Sequence, residues 1–125
     1  MKTGDTTTLT EKPAGSPLNA SGDGINWYQP TPEQIKQRIA ELSRKNGGNL
    51  YEMYNVIKCE SNFRHANLYG DGGEAFGVAQ FHRDTFDKNC KGDYYNANDQ
   101  LICFSEMFKK GLKNHWSCWK KLLTS

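Results

Sequence analysis

No stretch of this chain approaches the ~20 consecutive apolar residues that a bilayer-crossing helix requires, so a membrane span is excluded. The amino terminus also lacks the apolar core of a secretion signal, and the chain is expected to be a mature or recombinant form. An excess of one charge is missing too. The 16 Lys and Arg residues nearly balance the 14 Asp and Glu residues, leaving +2, and the basic residues are dispersed rather than gathered into a stripe. That excludes nucleic acid as the main partner, while a mild attraction to an anionic cell wall remains compatible. Close cysteine pairs are absent as well, which excludes a zinc ribbon. The three histidines, including His65 and His82, have no ligand-like spacing and read as surface residues. No metal and no cofactor is expected. There is no internal repeat.

What is present begins with 125 residues, enough for a single core. Residues 1–24 are rich in Thr, Gly, Ser and Pro, with Leu9 and Leu18 almost the only large apolar side chains, and so cannot bury enough surface to offset the entropy of ordering. They read as a flexible tether, and 25–125 as the folded domain. Thr31-Pro32-Glu33-Gln34 is a capping-box start, which predicts a helix to about Lys45 with Ile35, Ile39 and Leu42 on one face and Asn46-Gly47-Gly48 as its stop. A second helix is predicted from Asn49 or Leu50 to Ser61, with Leu50, Met53, Tyr54 and Ile57 at helical spacing. The glycine-rich stretch 67–75 must be a loop, with short extended pieces allowed beside it. Further helices are predicted around Arg83 to Lys88, from Asn98-Asp99 toward Gly111 along Leu101, Phe104, Ser105, Phe108 and Leu112, and over Asn114 to Leu123 with Trp116, Trp119, Leu122 and Leu123. The expected fold is therefore mainly α, four to five helices around one core with little or no sheet.

Glu60 stands three residues beyond Ile57 and continues the apolar face of the second helix. A carboxyl there is disfavoured as an anion twice, by burial and by the negative end of the helix dipole. Such a group keeps its proton toward neutral pH, which is the requirement for a general acid. The bland alternative is a surface carboxylate paired with Lys58 or Arg64. Four cysteines in a small chain, Cys59, Cys90, Cys103 and Cys118, suggest two disulfides and a location outside the cytoplasm, extracellular or in the cell envelope. Spacing alone leaves three pairings open.

From Cys59 the chain reads Cys-Glu-Ser, then Asn67, Gly70, Gly72 and Gly73, then Phe76-Gly77-Val78-Ala79-Gln80-Phe81, then Thr85-Phe86. This order resembles the lytic transglycosylase and resuscitation-promoting-factor branch of the lysozyme-like superfamily, over roughly residues 50 to 120. The resemblance implies an α+β lysozyme-like fold. It also implies a monomer acting on peptidoglycan glycan strands, with Glu60 as the single acid and base that cleaves the bond between N-acetylmuramic acid and N-acetylglucosamine and closes an anhydro product. It places Ser61 and Gln80 in the substrate groove, with Gly77 serving close backbone approach there. It further implies a bridge from Cys59 to Cys118, leaving Cys90 with Cys103.

Aromatic rings commonly stack on sugar faces, and on that ground Phe81 is the expected wall near the acid and Tyr94 or Tyr95 a groove residue. Two other outcomes of the same fold are a muramidase that hydrolyses with a second carboxylate, for which Glu74 and Asp84 stand ahead of Asp71, and a glycan-binding module without turnover. One departure from the family is plain. Its later Ala-Tyr-Asn-Ala-Gly-like stretch has no counterpart after Gln100, and Tyr95-Asn96-Ala97 precedes the helix that should come before it.

Overall fold

The computed structural model describes residues 24–124. The expected tether, but for Gly24, lies outside the described residues. Among the described residues, five α-helices and a three-stranded sheet of two-residue strands surround one core, so the mainly α architecture is observed. Helix α1 (Pro32–Asn46) starts on the capping box: Thr31 Oγ1 accepts from the Gln34 N–H at 3.1 Å, and Gln34 Oε1 accepts from the Thr31 N–H at 2.9 Å. It ends at Gly47 in the left-handed region, and Ile35, Ile39 and Leu42 are buried. Helix α2 (Leu50–Ser61) is capped by Asn49, whose Oδ1 accepts from the Glu52 N–H at 3.0 Å. Its buried face is Met53, Val56 and Ile57. Leu50, expected on that face, is exposed, because the stripe drifts with the 3.6-residue turn and Val56 takes its centre.

After α2 the chain forms β1 (Tyr69–Gly70), a tight turn at Asp71–Gly73, β2 (Ala75–Phe76) and β3 (Phe81–His82), paired antiparallel in the order β1-β2-β3. Tyr69 faces Phe76, and Phe76 faces Phe81, in register. Short helix α3 (Arg83–Asn89) follows directly. Helix α4 (Ala97–Lys109), capped by Asn96, runs through the middle of the molecule; Leu101, Cys103, Phe104, Met107 and Phe108 are all buried on it. Burial on so wide an arc marks it as the core helix. Leu112, expected to continue its face, falls beyond the helix and is exposed.

The last helix differs from expectation. A 3-10 turn at Lys113–His115 comes first, Trp116 is extended, and α5 covers only Ser117–Thr124. The reason lies in the indole: it is buried among Phe81, Phe104 and Phe108, and its Nε1–H donates to the Ala79 carbonyl at 2.8 Å. A continuous helix would carry that ring off the hairpin. Cys59 is bonded to Cys118 and Cys90 to Cys103, the same pairs that the family resemblance implied.

Candidate active site

Glu60 occupies the last turn of α2, which stops at Asn62 and Phe63, two consecutive residues in the left-handed region. Its carboxyl is half-buried. Oε2 accepts from the backbone N–H of Cys118 at 3.3 Å, not from Lys58 or Arg64. Cys118 lies in the first turn of α5, where backbone N–H groups have no helical partner and attract negative charge. The disulfide between Cys59 and Cys118 holds the two segments at a Cα separation of 5.9 Å, so the residue before the acid and the donor to the acid are covalently joined.

Burial pushes the Glu60 carboxyl above its ordinary value, and the charge of Asp71 adds to the effect; the Cys118 N–H and Lys121 work against it. The net direction favours a retained proton. Asp71, and neither Glu74 nor Asp84, the two expected as a second acid, is the carboxylate whose charge acts on Glu60. Asp71 sits at the start of the tight turn with φ 52°, and His82 Nε2 lies 2.9 Å from its Oδ2, where a carboxylate can only accept. The antiparallel register makes this contact, because it carries His82 of β3 back past β2 toward the end of β1.

Glu74 and Asp84 instead line a separate cleft of about 560 Å³, together with Tyr69, Tyr95, Arg83 and His82. Glu60 does not line it. Tyr95 is exposed there, whereas Tyr94 is buried and its hydroxyl donates to the Phe81 carbonyl at 2.6 Å. Both neighbouring tyrosines line the cleft, and Tyr95 is the exposed one.

Three expected groove residues turn inward. Ser61 is buried and its hydroxyl donates to the Ile57 carbonyl at 3.2 Å, the back-bonding that serines make in a helix. Phe81 is a core ring packed edge-on against Phe86 and Trp116 rather than a groove wall. Gly77 is buried, and the close approach it permits is made by His65 and Gln100: a Cβ there would lie 2.7 Å from the side chains of both. Its φ of 86° independently favours glycine. Gln80 remains half-buried with φ 51°, but both N–H bonds of its amide are engaged, with the Gly77 carbonyl at 2.9 Å and the Leu68 carbonyl at 3.3 Å. Only its Oε1, lying against Gly70, is left to accept.

Two buried polar residues that the pattern did not signal hold the hairpin in place. His65, expected at the surface, is buried: Nδ1 accepts from the Val78 N–H at 2.9 Å, which fixes the proton on Nε2, and that nitrogen donates to the Tyr95 carbonyl at 2.7 Å. Burial pulls its pKa below the ordinary histidine value. Gln100 of α4 accepts from the Ala79 N–H and donates to the Phe76 and Tyr94 carbonyls. Only buried polar residues at the loop crossing could meet these otherwise orphaned backbone groups. Nothing in their spacing reveals it. Among the described residues no cluster of His, Cys, Asp and Glu could hold a metal, and no helix is long and apolar enough to cross a membrane. No protein family, no curated protein and no solved structure matches this chain.

Proposed function

We propose that this domain cleaves peptidoglycan glycan strands as a lytic transglycosylase, acting outside the cytoplasm. The observation that supports it most is the half-buried Glu60 carboxyl, biased toward its protonated form and oriented by the Cys118 N–H. In this reading Glu60 gives its proton to the oxygen bridging N-acetylmuramic acid and N-acetylglucosamine as the C1–O bond breaks. The acetamido carbonyl oxygen of the same sugar closes on C1 and takes up the positive charge. Glu60, now a carboxylate, removes the proton of the C6 hydroxyl, and that oxygen attacks C1 to expel the acetamido oxygen and form the anhydro ring. One carboxyl serves both steps, so no second acid is needed.

A hydrolytic outcome is the second reading, and Asp71 is the specific reason to keep it. A carboxylate that acts electrostatically on Glu60 and is held by His82 supports this reading, in which Asp71 would orient a water that replaces the C6 hydroxyl. Mass spectrometry of digested cell wall separates the outcomes: anhydro ends in the first, reducing ends in the second. Glu60→Gln keeps the acceptor for Cys118 and removes the acid, so cleavage should fall by about 10²–10⁴-fold. Wall cleavage unchanged in Glu60→Gln would end the assignment of Glu60 as the acid. Retained glycan binding with no cleavage in the wild type would leave a binding module.

A further inference from the structure

The cleft beside the hairpin has a construction of its own. Tyr69 and Tyr95, 57% and 46% exposed, both pack against the buried ring of Phe76, at 5.0 and 5.2 Å between centroids. One rigid core ring therefore supports two outward tyrosines. The Arg83 guanidinium lies over the Tyr95 ring at 5.8 Å and over Tyr94 at 5.1 Å, and it is itself held by both oxygens of Asp87 at 3.3 Å. Tyr95 is anchored from the backbone side as well, since its carbonyl accepts from His65. Three carboxylates, Glu74, Asp84 and Asp87, line the same cleft; Asp87 is paired with Arg83, and among the described residues Glu74 and Asp84 form no ion pair. His82 lines it too while contacting Asp71, the carboxylate whose charge acts on Glu60.

Resting on the glycan-cleaving reading, we propose that this cleft is a second saccharide subsite, one that takes the neutral N-acetylglucosamine unit of the strand and rejects the acid-bearing N-acetylmuramic acid unit. The tyrosine rings offer the flat apolar surface that the C–H face of a pyranose covers. Glu74 and Asp84 are acceptors for its hydroxyl donors. The same two carboxylates face a lactyl carboxylate as like charges, and the guanidinium in the cleft, Arg83, is already paired with Asp87. A sugar carrying that lactyl group is repelled where its unsubstituted neighbour is not. The subsite then fixes the register in which the strand crosses the acid.

Calorimetric titration of the Glu60→Gln protein with the trimer of N-acetylglucosamine tests this without turnover. Tyr95→Ala and Tyr69→Ala, each added to that background, should weaken binding by about tenfold or more, while Tyr95→Phe, which keeps the ring, should hold it. Unchanged affinity in both alanine variants overturns the subsite. Tighter binding of the de-acetylated, cationic trimer than of the neutral one, or equal binding of a saccharide bearing the lactyl carboxylate, overturns the choice of sugar. Failure of the cleavage reading shows elsewhere, as wild-type protein that cleaves no wall, and leaves these affinities to be read on their own.

Discussion

The N–H of Cys118 donates to the carboxyl of Glu60 across 58 residues of chain, and the disulfide between Cys59 and Cys118 runs alongside that hydrogen bond. The α5 amino terminus is thereby a fixed part of the acid's surroundings. It lowers the acid's affinity for its proton while burial and Asp71 raise it, and the latter prevail.

A carboxyl whose folded pKa stands above its unfolded value of ~4.3 binds its proton more tightly in the folded state. Its contribution to stability is fully present below that unfolded value and is lost as pH rises through the folded one. Glu60→Gln should therefore melt at the same or a higher temperature than the wild type at pH 7, and the gain should vanish near pH 4. The cleavage rate of the wild type should fall as pH rises past the raised value, because the acid form is consumed. A variant that melts below the wild type only at neutral pH contradicts the assignment.

The two disulfides close loops of different length, with sequence separations of 59 and 13. In the loop-entropy picture the longer bridge contributes about 4 kcal/mol and the shorter about 3 kcal/mol. Urea unfolding of the paired Cys-to-Ser variants should show losses in that order. Removal of the Cys59–Cys118 bridge should also reduce cleavage more than removal of the other, since it alone positions the donor to Glu60.

His65 is neutral, with its proton on Nε2, and has no room for a second proton where Nδ1 accepts from Val78. Its folded pKa lies below the unfolded value of ~6.5, so its full contribution is present above that pH and is lost as pH falls toward the folded value. Imidazole NMR should find the Nε2–H tautomer and a titration midpoint below the ordinary histidine value. A midpoint above 6.5 would rule out this arrangement.

Gly77 and Gly72 both have positive φ, at 86° and 67°, but differ in surroundings. A Cβ at Gly72 meets nothing within 4 Å, whereas at Gly77 it meets His65 and Gln100 at 2.7 Å. Gly72→Ala should cost about 1–2 kcal/mol from backbone strain alone. Gly77→Ala adds overpacking and should cost about 2–4 kcal/mol, measured by denaturant unfolding. Equal losses would show that the buried crossing yields freely.

Local chemistry already contained much of this molecule. The Thr31 capping box, the Asn49 cap, the apolar spacing around Met53 and Ile57, and the Gly47 stop define α1 and α2 through interactions no more than four residues apart, so they could be read from order alone. Glu60 was legible for the same reason, as a carboxyl at the end of an apolar stripe. Tertiary packing decided the rest. Phe81 turned inward because aromatic rings from distant segments claimed it, the Ser61 hydroxyl and the Gln80 amide were taken up by backbone carbonyls, and Trp116 left its helix to reach Ala79. Asp71 came to act on Glu60, and Glu74 and Asp84 joined the tyrosine cleft, only when the strands took their register. Period and capping act along the chain; charge coupling and burial act across space, and only the folded arrangement brings their partners together.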